Sequence, residues 1–358
     1  MRIVLSGYYG FDNVGDEAIL FSIIKSLKNE NPEVRITVLS NNPEATKQTY
    51  HVDAVNRWKL KEIRNVLKQA DGLISGGGSL LQDETGIKSI PYYAGIIKIA
   101  KWYKKPVFVY AQGMGPIKRR LSKWIVRNAL NKVGKITVRD EGSKTLLQKI
   151  GVKKQSVVVP DPVLALDRNS FSNNWIKSQA IDKPIITVSV RDWPTDNPYK
   201  EKIAHCLDKL VQKGNSIVFI PMHGKIDEVT SMETAGIMTE KSFTAPADSS
   251  IEERISIIGE SQLLIGMRLH ALIFSAVTYT PFVALSYDPK IDAFAAICNQ
   301  PVIGHVENNN WSGESLFDAV LETLSNETLV QSSLENKVKN HQKEALKTPK
   351  MALELFTK

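Results

Sequence analysis

Cysteine is nearly absent from this chain of 358 residues: Cys206 and Cys298 are the only two, and no CxxC pair occurs. That excludes a disulfide framework and a cysteine-rich zinc site, and it fits a reducing cytoplasm. No stretch approaches the ~20 apolar residues of a membrane span, and "AGIIKIA" is already broken by Lys98. The N-terminal run "RIVL" is too short for the core of a signal peptide, so secretion by that route is not expected. No GxGxxG follows a predicted strand, and neither GxxxxGK[ST], HExxH nor GxSxG occurs. Nicotinamide binding, P-loop chemistry, zincin hydrolysis and a nucleophile elbow therefore fall away, and no metal site is expected.

What is present is an ordinary globular composition, 42% hydrophobic and 23% charged, with a formal charge of +8. The positive balance points to an anionic partner. Lys and Arg are spread thinly and no groove-reading motif accompanies them, so nucleic acid ranks last among such partners. Short, continuous apolar runs ("RIVLSG", "VRITVLS", "GLISGGG", "PVFVYAQG", "KITVRD", "SVVVP") alternate with segments of helical spacing such as "DEAILFSIIKSLKNE". Unbroken apolar strands read as a parallel sheet covered on both faces. The pattern restarts at "PIITVSVRD" and continues through "SIVFIPMH", "LLIGMR" and "PFVALSY". Two doubly wound α/β domains in tandem follow, residues 1–166 and 184–326. A polar linker at 167–183 joins them, and a helical tail spans 327–358.

In open α/β sheets, ligands bind beyond the C-terminal ends of the strands, so chemistry is sought there. The loop "GYYGFDNVGDEA" carries Tyr8, Tyr9 and Phe11, a costly way to make a turn and a good way to stack on a sugar ring. Asn13, Asp16 and Glu17 can take hydrogen bonds from hydroxyls, and Asp16 is a candidate catalytic base to deprotonate one, although it equally suits the N-cap of the first helix. In "GMRLHALIFS", Arg268 and His270 fall at a helix N-terminus, which favours an anion. Lys290 in "SYDPK" opens the next helix, where a cation opposes the dipole unless an anion is bound. Arg139 in "TVRDE" and Arg191 in "SVRDW" stand at strand ends, free to face a ligand or to pair with a neighbouring Asp. The stretch "IKRRLSKWIVRNALNKVGK" reads as a basic amphipathic helix with Leu121, Trp124, Ile125 and Val133 mainly on one side. An anionic membrane surface is its candidate partner, and an ordinary solvated domain helix is the alternative.

Taken in order, "GYYGFDNVGDEA", "ISGGGSLLQD", "AQGMGP", "TVRDEGS", "PDPVLAL", "GMRLHALIFS" and "SYDPK" resemble the polysaccharide pyruvyltransferase family, and within it the CsaB type that acts on secondary cell-wall polymers of Gram-positive bacteria. The likeness spans about residues 5 to 295. It implies a GT-B-like architecture of two Rossmann-like domains facing across a cleft, with a donor side and an acceptor side. It further implies transfer of a pyruvyl group from phosphoenolpyruvate, a co-substrate rather than a cofactor, onto two hydroxyls of one sugar to form a cyclic ketal.

By the same resemblance, His270 and Lys290 serve phosphoenolpyruvate together with an arginine, Arg139 first and Arg268 next, with Arg191 as a further candidate. Tyr9 and Phe11 serve the acceptor, with Trp193 as a second wall. The acceptor implied is a ManNAc residue on a lipid-diphosphate-linked saccharide, met at the inner face of the cell membrane. Two rival readings share the architecture: a nucleotide-sugar glycosyltransferase or epimerase, and a non-catalytic polysaccharide-binding module.

Overall fold

The apolar runs become strands because each has both faces to bury. The computed structural model describes residues 1–84 and 86–357, and it divides into two compact units. The first comprises Met1–Leu166 and the segment from His341 onward; the second is Asp167–Asn340. In the first unit, β1 (Arg2–Ser6), β2 (Arg35–Ser40), β3 (Asp53–Asn56), β4 (Gly72–Gly76), β5 (Val107–Gln112), β6 (Lys135–Val138) and β7 (Ser156–Val158) form one parallel sheet. Its order is β3-β2-β1-β4-β5-β6-β7, so the direction of winding reverses between β1 and β4. All residues of β4 and β5 are buried, and Val4 and Leu5 of β1 pair with Leu73 and Ile74 of β4.

The second unit repeats the plan with β8 (Ile185–Ser189), β9 (Ser216–Phe219), β10 (Ser242–Thr244), β11 (Leu263–Gly266), β12 (Phe282–Ser286) and β13 (Val302–His305), ordered β10-β9-β8-β11-β12-β13. Its winding reverses between β8 and β11. Three strands, β3, β10 and β13, were not legible as apolar runs. They are short, and "DAVN", "SFT" and "VIGH" mix polar with apolar residues, as the half-covered margin of a sheet permits.

Two segments behave differently from their sequence appearance. The polar stretch 167–183 is tied to the second unit: Asn173 Nδ2 donates to Ser256 Oγ at 3.0 Å and to Glu260 at 2.8 Å, and the Arg168 guanidinium lies 4.7 Å from the Tyr279 ring. The tail forms two helices, Glu327–Ala345 and Lys347–Phe356, and the second returns to the first unit. The absence of a side chain at Gly72, in β4, leaves room for the Phe356 ring, and a Cβ on Gly134 would meet Leu355 at 2.7 Å.

The basic stretch is helical over Arg120–Leu130, but its apolar residues divide otherwise than expected. Ser122, Val126 and Leu130, spaced by four, face the core, whereas Leu121 and Trp124 are exposed. Val133 lies beyond the helix and is buried. The four-residue spacing toward the sheet takes precedence because that face has a core to fill.

Phe356 is buried, so Phe356→Ala is expected to destabilise the first unit by about 3 kcal/mol. Urea unfolding should show this as a lowered midpoint, whereas an unchanged midpoint would make the last helix a mere appendage.

Candidate functional site

The loop after β1 lies at the reversal point of the first sheet, where an open α/β sheet leaves a crevice. Its aromatics are not equivalent. Tyr8 is 40% exposed and stacks on the half-buried Phe11, with ring centroids 4.1 Å apart and planes 6° from parallel. Tyr9, expected to join them as an exposed acceptor residue, is only 1% exposed. Its ring folds under the loop over Gly7, and a Cβ on Gly76 would meet its hydroxyl at 2.6 Å. The reason is steric: glycines in β4 and just after β1 open a slot that a phenol ring fills. The shelf is therefore Tyr8 and Phe11, with Tyr9 as its support.

Asn13, not Asp16, caps the helix Val14–Glu30, accepting from Gly15 N–H at 3.1 Å. Glu17 is also structural: it accepts from Gly10 N–H at 2.6 Å and from the Tyr50 hydroxyl at 2.7 Å, pinning the loop. Burial raises its pKa.

Asp16, on the first turn of that helix, is then left to the site. A Cβ on Gly78, whose φ is +72°, would lie 2.5 Å from its Oδ1. Likewise a Cβ on Gly113 would lie 2.8 Å from Ser79 Oγ and 2.9 Å from an Arg139 guanidinium nitrogen. These two glycines make the space in which both charged groups sit. Arg139 pairs with Asp161 at 3.3 Å, and Asp161 in turn accepts from Val163 N–H at 3.1 Å. Part of Asp16 remains accessible, yet protein surrounds it closely enough that desolvation raises its pKa from 3.8 to about 7, with Glu17 adding to the rise. Burial outweighs both the Arg139 charge, which pulls the other way, and the helix N-terminus, typically worth about 0.3–1 kcal/mol. A partly accessible carboxyl at the C-terminal edge of a parallel sheet, poised near neutrality, suits acid–base work.

Arg57 escaped notice in the sequence. It is 3% exposed, donates to Gly7 C=O at 2.8 Å and to the Tyr93 hydroxyl at 3.2 Å, and lies 4.5–5.5 Å from the Phe11, Trp58, Tyr92 and Tyr93 rings. The aromatic loop thus rests on a guanidinium supplied from just beyond β3, one of the strands the apolar pattern did not reveal.

In the second unit, Arg268 and His270 stand where expected, Arg268 as N-cap of the helix Leu269–Thr278 and His270, half-buried, in its first turn. The Arg268 fork is already occupied. Its Nε donates to Asp227 Oδ2 at 2.9 Å and its Nη2 to Asp227 Oδ1, and Asp227 is fully buried. An unpaired carboxylate there would be costly, so the arginine turns to it and orders the strand end rather than presenting its fork to a ligand. Lys290 is exposed, with its Nζ 3.9 Å from Asp288. Arg191 lies 4.6 Å from the Tyr287 ring and 5.2 Å from that of Trp193, whose indole N–H donates to Glu307 at 2.8 Å. Trp193 is thus grouped with Arg191 at the end of β8.

A family model described as "Polysaccharide pyruvyl transferase" matches residues 13–289. The chain is similar to the amylovoran biosynthesis protein AmsJ of Erwinia amylovora, 24% identical over 354 residues that cover 81% of this chain and 84% of that protein. Its fold resembles Anabaena HepE, solved with UDP-glucose, at a TM-score of 0.66 and 9% identity over 100% of this chain and 99% of that one. The UDP-GlcNAc 2-epimerase of Neisseria meningitidis, bound to UDP-GlcNAc, is similar at a TM-score of 0.66 and 12% identity over 100% of both chains. These structures share the GT-B-like architecture of paired Rossmann-like domains.

Asp16 makes a stability prediction with a definite sign. Its carboxyl is neutral in the folded protein up to about pH 7 but ionises near 3.8 when exposed. Raising the pH between those values therefore favours unfolding, and the full penalty is present above 7. Asp16→Asn should raise the melting temperature at pH 8 and change it little at pH 3; equal changes at both would refute a desolvated carboxyl.

Proposed function

The chain belongs to the polysaccharide pyruvyl transferase family, and from that premise we propose that it transfers the pyruvyl group of phosphoenolpyruvate onto two hydroxyls of one sugar. The acceptor class follows the CsaB-type resemblance: a ManNAc residue of a lipid-diphosphate-linked saccharide, modified in the cytoplasm at the membrane and destined for a cell-wall polymer. The observation that carries the reading is the partly accessible Asp16 carboxyl, poised near pH 7 beside the Arg139–Asp161 pair.

Phosphoenolpyruvate is anionic at both ends and calls for cationic groups; Arg139 is the candidate in the first unit, and Arg191 and Lys290 are the candidates in the second. Protonation of its C3 methylene, assigned to His270, makes C2 electrophilic. One sugar hydroxyl adds to C2 and passes its proton to Asp16. Cleavage of the C2–O bond releases phosphate, and the second hydroxyl closes the ketal. Of the two hydroxyl protons, one balances that taken up by the methyl group and the other leaves with phosphate. The arginines can offset the leaving group's charge, so no cofactor is assigned. Phe11, stacked with Tyr8, is assigned to the sugar face.

Incubation with phosphoenolpyruvate and lipid-linked saccharides should release phosphate in proportion to ketal detected by mass spectrometry, with no nucleotide added. A requirement for a nucleotide sugar would instead support a glycosyltransferase or epimerase. The kcat/KM profile should rise with pH through about 7 as Asp16 ionises. Asp16→Asn and His270→Ala should each lower kcat by about 10²–10⁴-fold. Phe11→Ala should raise the acceptor KM far more than that for phosphoenolpyruvate. Near-normal ketal formation by either of the first two variants would remove that residue from the mechanism.

A further inference from the structure

Lys and Arg occur throughout the chain, but they are spread less evenly than expected. From Gly86 to Arg139 there are 13 Lys and Arg and no Asp or Glu, whereas the rest of the chain carries 33 basic against 38 acidic residues. This segment includes the helices Ser89–Trp102 and Arg120–Leu130, which lie against each other beside the first sheet. Because β4, β5 and β6 are parallel, both helices begin at the sheet's C-terminal edge, the edge that carries Asp16 and Arg139.

At that edge Ile87, Leu121 and Trp124 are 64%, 67% and 54% exposed. Arg119, Arg120, Lys123 and Arg127 accompany Leu121 and Trp124 in and just before the same helix, all exposed and none in an ion pair with a described carboxylate. The patch is held in shape: Asp83 accepts the backbone N–H of Lys118 at 2.8 Å and of Arg119 at 2.9 Å, and Leu81 bridges Met114. The chain preceding the first helix is thereby fastened to the start of the second.

We infer that this edge of the first unit docks on the surface of an anionic lipid bilayer. The occupant follows from the combination of groups. Unpaired Lys and Arg are attracted to anionic headgroups, while an exposed indole and two exposed aliphatic side chains gain from entering the boundary between headgroup and acyl chain. A polyanion such as nucleic acid would reward the cations but leave Leu121 and Ile87 in water. Among the described residues no helix is long and apolar enough to cross a membrane, so the contact is peripheral. For its biological sense the inference rests on the proposed lipid-linked acceptor, which would be carried by the same bilayer.

The test is flotation of the full chain with vesicles of phosphatidylglycerol and phosphatidylethanolamine, against vesicles of phosphatidylcholine. The expected result is at least about tenfold greater recovery with the anionic vesicles, lost at about 0.5 M salt. Leu121→Ser with Trp124→Ser, and separately Arg120→Glu with Lys123→Glu, should each reduce recovery at least about fivefold. Turnover on a water-soluble acceptor and the melting temperature should be unchanged. No recovery, or equal recovery with both vesicle types, overturns the docking. So does full recovery of the Leu121/Trp124 variant together with release by single-stranded DNA, which would mark a general polyanion surface. Failure of flotation with turnover intact sinks this inference alone; intact flotation without turnover sinks only the proposed activity.

Discussion

Two carboxylates sharing one guanidinium set the terms for the first unit. Asp161 takes the direct pairing with Arg139, and Asp16, crowded by protein and close to Glu17, is held near the boundary between its charged and neutral forms. That arrangement needs room, and Gly78 and Gly113 supply it by lacking a side chain where the charged groups approach. It also needs the surrounding loops to stay fixed. Asn13 secures the helix on which Asp16 rides, Glu17 ties that helix to Gly10, and Arg57 holds the aromatic loop by its Gly7 carbonyl. Asn13, Glu17, Arg57 and Asp161 are thus committed to structural contacts, whereas the Asp16 carboxyl stays partly accessible.

The second unit handles charge by another route. Arg268 is matched to the buried Asp227 across 41 residues of sequence, which stabilises the strand ends around β11. Arg191 rests on the Trp193 and Tyr287 rings, and Lys290 remains exposed. The first unit thus holds a carboxyl poised near neutrality, and the second keeps Arg191 against aromatic rings and Lys290 in the open.

Much of this could be read in the amino-acid order, because strands buried on both faces leave unbroken apolar runs and the residues after them announce strand ends. The helix start at Arg268 and His270 was legible for that reason. What escaped depends on contacts between distant segments. Nothing local in "NRW" reveals that Arg57 will sit beneath a loop 50 residues earlier, and nothing near "GMRLH" reveals Asp227 as the partner of Arg268. Tyr9 misled for a related reason: its slot is made partly by Gly76 in another strand, so only the assembled sheet shows that the ring turns inward.

The last helix, Lys347–Phe356, closes over the first sheet at Gly72 and Gly134. The covering of that face therefore comes from residues beyond the second unit, and the segment Met1–Leu166 alone does not supply it. Cutting the chain after the second unit would uncover Gly72 and Gly134, against which Phe356 and Leu355 now pack.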